Sequence, residues 1–410
     1  MATQIFTNIS LLANTREQSE FVRGKELAFL PSVENAYLII EDEIIAEFGK
    51  MEDYRFGKES RQLPDNTIVL PCWCDSHTHL VFAGSREEEF IDKIKGLSYA
   101  EIATKGGGIL NSAKKLNATS DEELFYQSWK RIEEVSKLGT GAIEIKSGYG
   151  LTLENELKIL RVIKRVKEKS SLEIKSTFLG AHAFPTEYKE NHQGYIDLII
   201  NEMLPVIANE KLADFIDVFC EKEFFSPQEM KTICEAGKNF GLNAKLHVNQ
   251  LNSIRGIETG ISVDALSLDH LETLTEQEIQ MLGNFKGSST LLPTAAFFLR
   301  SPLPLARSLI NADAAVTLAS DYNPGSSPSG NMNFVVSLSC IQMKMLPAEA
   351  INAATINGAC AMGIAENYGS IMVGKKANLI FTKPVPSLAF LPYSFSNNLI
   401  DKVMIKGSFI

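Results

Sequence analysis

The 410-residue sequence lacks an apolar run long enough to cross a bilayer. The stretch from Ser289 to Leu299 reaches 11 residues before Arg300 interrupts it, where a spanning helix needs roughly 20. Basic charge is also short: 40 Lys+Arg stand against 50 Asp+Glu, a net −10. No Lys or Arg cluster supplies the positive face by which nucleic acid is held. The first residues, MATQIFTNISLLANTREQ, have neither a basic start nor a small-residue cleavage pattern, so no signal peptide is expected. Cysteine is sparse, with six at 72, 74, 220, 234, 340 and 360. That is too few and too scattered for a disulfide framework, and a reduced cytoplasmic protein is expected. Repeats and low-complexity tracts are missing too. What remains is ordinary globular composition, 45% hydrophobic and 22% charged, in a length that suits one large domain and one smaller one.

Residues 1–66 read as short strands and turns. AYLIIEDEIIAEFG sets two apolar runs around an acidic turn, the pattern of a hairpin. The stretch from about Ser370, with SIMVGKKANLIFTKP and LIDKVMIKGSFI, has the same character. The two ends, 1–66 and 370–410, are therefore expected to meet in a small composite β-sandwich domain. Between them, over 67–369, strand-like and helix-like segments alternate. The strand candidates are 68–79, 142–148, 173–182, 215–221, 243–250, 265–272, 287–294 and 316–323. Ser120-Asp-Glu-Glu123 resembles a capping box opening a helix that stops near Gly139. Leu153, Leu157, Leu160 and Ile163 share the apolar face of another. Eight strands alternating with helices predict an α/β fold, a (β/α)8 barrel.

Almost every candidate strand ends in a reactive or hydrogen-bonding side chain: His77 and His79, Lys146, His182, Glu221, His247, His270, Thr294 and Asp321. Five of the six histidines fall there, where such barrels place their active sites. His77 and His79, two apart on a strand, present two imidazoles to one side, close enough to share a cation. CWCDSHTH could also be taken for a four-ligand zinc knot, but strand parity turns Cys72 and Cys74 away from the histidines. Each candidate has a plainer reading: a satisfied core histidine for His247, a loop cap for Asp321. Three histidines and one carboxylate together at strand ends point instead to an open catalytic metal site.

The segments DSHTHLVFAGSREEEF (75–90), KGGGI (105–109), EIKSGYGL (144–151), FLGAHAFP (178–185), LHVNQ (246–250), DHLE (269–272), LLPTAAFFL (291–299) and ASDYNPGSSPSGNM (319–332) resemble the amidohydrolase superfamily. They are most similar to its members that open an imidazolone ring in histidine degradation. The resemblance implies a metal-bearing barrel with a small β domain from both termini. It implies metal ligation by His77, His79, His247 and Asp321, and substrate contacts from Arg86, Tyr149, His182, Gln250, Asn323, Gly325 and Ser326. It also sets His270 close to the attacked carbon, with His270 and Asp321 as the catalytic pair.

The chemistry of these residue types agrees. Arg86 is a fork donor suited to a carboxylate; its plain reading is a salt bridge within Glu87 to Glu89. The NPGSSPSG loop offers backbone N–H groups that can cradle an anion, or is simply a flexible linker. Gly106–Gly108 lack the spacing of a phosphate loop and suggest a mobile mouth. Strand four ends Cys220-Glu221 and Lys146 sits on strand two. The bridging Lys of two-metal relatives is thus missing, and one metal ion per subunit is expected, divalent or trivalent, zinc first and iron second. The expected reaction is hydrolysis of 4-imidazolone-5-propanoate to N-formimidoyl-L-glutamate by a homodimer, with no nucleic-acid or membrane partner. The rivals are a deaminase or cyclic amidohydrolase acting on a neutral ring, and a non-catalytic metal-binding barrel.

Overall fold

A computed structural model of the chain describes residues 3–55, 59–97, 101 and 107–410. The alternating runs at both ends form one mixed eight-stranded sheet. Its order is Ser408–Phe409, Ile400–Ile405, Leu379–Thr382, Ile68–Pro71, Thr3–Ala13, Ser32–Glu41 and Ile44–Lys50, with Arg61–Gln62 paired alongside Thr3–Ala13. The expected hairpin is there: Ile40 faces Ile45, and Asp42 takes a left-handed backbone (φ 53°) in the turn. Period-2 alternation then separates two faces. Leu38 and Ile40 pack with Phe6, Leu379, Phe381 and Met404, while Tyr37 and Ile39 pack with Ile5 on the other side.

The second sheet is the barrel. Its eight parallel strands follow chain order: Trp73–Asp75, Thr140–Lys146, Glu173–Ala181, Phe215–Cys220, Asn243–Val248, Ser267–His270, Ser288–Leu291 and Val316–Leu318. Helices between them cover the outside. Ser120 caps the helix Asp121–Lys137 by accepting from the Glu123 N–H, and Gly139 (φ 93°) follows its end. The helix Leu153–Lys169 buries Leu157, Leu160 and Ile163, as its spacing predicts. Among the described residues no helix is long and apolar enough to cross a membrane.

One expectation is corrected. The run 68–79 is not a single strand. Ile68–Pro71 pairs within the terminal sheet and Trp73–Asp75 within the barrel. The chain passes between the two bodies at Cys72, and His77 and His79 lie just beyond the barrel strand. The reason is that both halves are buried and apolar, and a continuous apolar run does not say which sheet it enters. Cys72 packs beside Gly141 and Cys74 beside Gly358, away from the histidines.

The barrel closes through side chains and loop backbone. Asp75 accepts from Ser320 N–H (3.0 Å) and Ser320 Oγ (2.5 Å). Asp321 N–H donates to His77 O, and His79 N–H to Tyr322 O, each at 3.0 Å. The seam thus joins the two segments that carry three of the four candidate ligands.

The N-terminal chain is fastened to the barrel by Asn357, whose buried amide accepts from Val22 N–H and donates to Val22 O and Val316 O at 2.8–2.9 Å. Asn357→Ala leaves these three backbone groups unpaired and should cost roughly 3 kcal/mol. The check is the urea midpoint. A midpoint equal to the wild type's would show that this segment is held by something else.

Candidate functional site

Five histidines converge at the C-terminal ends of the strands. Ring centroids are 4.5 Å apart for His77 and His247, 5.4 Å for His77 and His79, 5.3 Å for His79 and His182, and 5.2 Å for His247 and His270. His192, the sixth, lies apart and stacks on Phe184. Ligand atoms of His77, His79 and His247 lie within 4.8 Å of one another. Asp321 Oδ1 stands 3.6 Å from the Nε2 atoms of both His77 and His79. That is too long for a hydrogen bond and suits atoms grouped around a cation.

The tautomers follow from the partners. His77 Nδ1–H donates to Asp269 Oδ2 at 2.6 Å, and His247 Nδ1–H to Asp217 Oδ2 at 2.8 Å. Carboxylates accept, so in each neutral imidazole Nε2 keeps its lone pair facing the site. Burial, the neighbouring imidazoles and the Lys146 ammonium hold His77, His79 and His247 well below the ordinary histidine range. They are neutral donors, the form a metal ion takes. His77 Nε2 is buried and has no hydrogen-bond partner among the described residues. An orphaned donor atom of this kind is costly unless something binds it, so the residues fit a metal ion.

Beneath the histidines lies a layer of charged groups of which the strand ends announce only Lys146. Lys146 Nζ reaches Glu144 Oε1 at 2.7 Å, Asp217 Oδ2 at 2.8 Å and Asp269 Oδ2 at 3.7 Å, and Lys245 Nζ reaches Glu144 Oε2 at 3.1 Å. All five groups are fully buried. Burial disfavours the Lys146 charge, but the three carboxylates outweigh it and raise its pKa. Three acids against two ammoniums leave one formal negative charge, and Asp321 above adds a second. The signal was available: charged residues inside apolar strands, Glu144 and Lys146 sharing one face by parity, Asp217 midway along its strand and Asp269 next to the end of its own.

His270 is the last residue of its strand and holds a positive φ of 87°, an uncommon conformation for a non-glycine residue. Burial works against its charge, yet Glu272, 3.2 Å from Nδ1, together with Asp321 and Asp269 raises its pKa. For Asp321, itself at φ 51°, burial pushes the carboxyl up to about 6. His182 is pulled down to about 4 by burial, and its Nδ1–H donates to Gly148 O.

A cavity of about 490 Å³ opens above this floor. Arg86, Tyr149, His182, Gln250, Asn323, Gly325 and Ser326, the residues singled out as substrate contacts, all border it, as do His79, His247, His270 and Asp321. Phe219, Phe224 and Phe298, the last within LLPTAAFFL, add an apolar wall to which the sequence assigned no role. Arg86 has the partner its plain reading expected: Nε and Nη2 donate to Glu89 at 3.0 and 2.5 Å. Nη1 turns toward the Gly325 backbone, where a Cβ would collide with it.

The anion cradle expected in NPGSSPSG is corrected. Asn323 Oδ1 already accepts from Gly325 N–H and Ser326 N–H at 2.7 and 2.8 Å, and Ser326 Oγ donates to Asp321 Oδ2. The loop's own amide occupies the place an anion would take. Thr294 and Glu221 are structural, donating to Ser320 O and accepting from the N–H groups of Lys222, Leu251 and Asn252 respectively. Lys105 and Gly106 of KGGGI lie outside the described residues.

The profile of the Amidohydrolase family matches residues 68–410. A protein of Flavobacterium johnsoniae named imidazolonepropionase is 56% identical over 408 residues, 99% of each chain, and one of the same name from Clostridium tetani is 41% identical over 94% of this chain and 93% of its own. Among solved structures, an adenosine deaminase from Xanthomonas campestris with bound zinc superposes at a TM-score of 0.72 and 17% identity, covering 99% of this chain and 92% of its own. The Escherichia coli guanine deaminase does so at 0.71 and 14%, covering 100% and 99%. At such identities the two deaminases bear on the fold alone.

Removing one imidazole tests the metal cluster. His247→Ala should give a folded protein with little bound metal and activity near background. Metal content of the purified variant decides it: a full equivalent with normal turnover would mean that His247 is no ligand.

Proposed function

The chain belongs to the amidohydrolase family, and on that premise we propose a division of labour among its residues. The reaction is the hydrolysis of a cyclic amide: water opens the ring C–N bond of 4-imidazolone-5-propanoate and N-formimidoyl-L-glutamate leaves. One observation carries the reading. Neutral, preoriented imidazoles form the floor of a cavity whose wall presents a guanidinium, so a cation-activated water and an anionic small ring are accommodated together.

His77, His79, His247 and Asp321 would hold one metal ion, zinc in first place and iron with the same ligands in second. When bound, such an ion supplies Lewis acidity, which makes water a nucleophile at neutral pH. Asp217 and Asp269 keep the His247 and His77 tautomers that leave Nε2 free. His270, with Glu272 favouring its protonated form, donates from Nε2–H to the oxygen on which negative charge develops. Asp321 takes a proton from the attacking water and delivers it to the ring nitrogen as the C–N bond breaks. The apolar wall of Phe219, Phe224 and Phe298 restricts water around the ring. Arg86, aimed by Glu89, holds the propionate arm, and Tyr149, His182 and Gln250 frame the ring.

A neutral-ring deaminase would have no use for Arg86, and this gives the test. Arg86→Lys keeps the charge but loses the fork, and should lower kcat/KM for imidazolone propionate roughly 10-fold or more. Metal content should be unchanged, and a ring analogue without the carboxylate should be nearly indifferent. Equal losses on both compounds would assign Arg86 to holding the loop.

A further inference from the structure

The cavity wall carries more positive charge than one guanidinium. The helix Glu87–Ile94 starts from its N-cap, Arg86, and turns a single face to the cavity, with Arg86, Phe90, Lys93 and Ile94 at the spacing of one helical stripe. Arg86 and Lys93 are two turns apart and project to the same side. Both reach the same loop, since Lys93 Nζ donates to Gly325 O at 3.2 Å while Arg86 Nη1 packs against the Gly325 backbone. Their states differ. Arg86 has the Glu89 carboxylate, whereas among the described residues no carboxylate stands within 4.0 Å of Lys93 Nζ. The Lys93 ammonium rests on a neutral carbonyl, with the Phe298 ring 5.6 Å away. Burial first, and then the nearby Arg86 charge, lower its pKa, with Glu89 opposing. A half-buried cation short of an anion, next to the proposed carboxylate clamp, is placed to gain one from the ligand.

We propose that Lys93 is a specificity-determining residue, the second cation that grips the carboxylate arm of the substrate together with Arg86. On binding, the ammonium exchanges the Gly325 carbonyl for the charged oxygen, and the pair reads the arm from two directions. This rests on the reading of the site as one for a ring with an anionic arm.

The test uses the metal-loaded protein and 3-(imidazol-4-yl)propanoate, which keeps the arm but has no ring carbonyl to hydrolyse, beside its neutral amide. Calorimetry should show the wild type preferring the acid. Lys93→Met, which keeps the apolar stem, should weaken the acid about 10-fold or more and the amide by less than about 2-fold. Lys93→Arg should restore the preference. In turnover of imidazolone propionate, Lys93→Met should raise KM and leave kcat and metal content nearly unchanged. Equal weakening of acid and amide would show that Lys93 only holds the 323–326 loop, and no change in either, or a wild type indifferent to the charge, would equally overturn the proposal. A wild type that hydrolyses no imidazolone propionate, yet loses its acid preference in Lys93→Met, would support the clamp and refute the reaction.

Discussion

Charge balance inside the barrel is the constraint on which the site depends. Lys146 lies in reach of Glu144, Asp217 and Asp269, all removed from water. Buried ions persist only when paired and hydrogen-bonded, and losing one partner of such a group typically costs about 3–5 kcal/mol. The arrangement does more than neutralise. Lys146 opposes the burial that raises the Asp217 pKa and helps hold Asp269 below its ordinary range, and with both carboxylates fixed the imidazoles of His247 and His77 are set in orientation and tautomer. The upper layer inherits its geometry from the lower one. The residual negative charge, with Asp321, also makes the site an electrostatic host for a metal cation.

A second constraint is local strain. His270 and Asp321 both hold positive φ, and each lies at a strand end where the barrel gives way to loop. Such conformations persist where surrounding bonds over-determine them. For Asp321 these are the bonds across the seam to His77 and from Ser326; for His270, the contact with Glu272. The rival of a non-catalytic barrel finds little support in this. A scaffold has no need of a strained Asp321 carboxylate facing an open cavity, nor of a buried His77 Nε2 that finds no hydrogen-bond partner among the described residues.

Much of this was legible in the sequence. The period-2 spacing of His77 and His79 and the placement of His182, His247, His270 and Asp321 after apolar runs located the site, because strand ends carry the side chains that leave the core. The cap at Ser120 and the stripe of the following helix were equally plain. Other features were hidden for identifiable reasons. The division of 68–79 between two sheets escaped because hydrophobicity reports burial, not the partner. Asp217 and Asp269 sit one layer below the strand ends, where attention to termini does not reach. The filled nest at Asn323 shows that a motif reveals which N–H groups are available, but not that a neighbouring amide takes them first. Lys93 looks in sequence like any lysine on a charged helix, and only packing shows that its face is turned inward.

The terminal sheet has a consequence for how the chain is made. Ile68 N–H donates to Thr382 Oγ1 across 314 positions, and Ile68–Pro71 lies between Thr3–Ala13 and Leu379–Thr382. A strand synthesised early therefore waits for its partner until the barrel has emerged. Through that interval Phe6, Leu12 and Val69 lack the cover that Leu379, Phe381 and Met404 provide in the finished core. Closing so long a loop is slow compared with local pairing, and an unpaired apolar strand edge can associate with other chains meanwhile. Assembly of the small sheet, more than of the barrel, is then the step at which a nascent chain is open to aggregation.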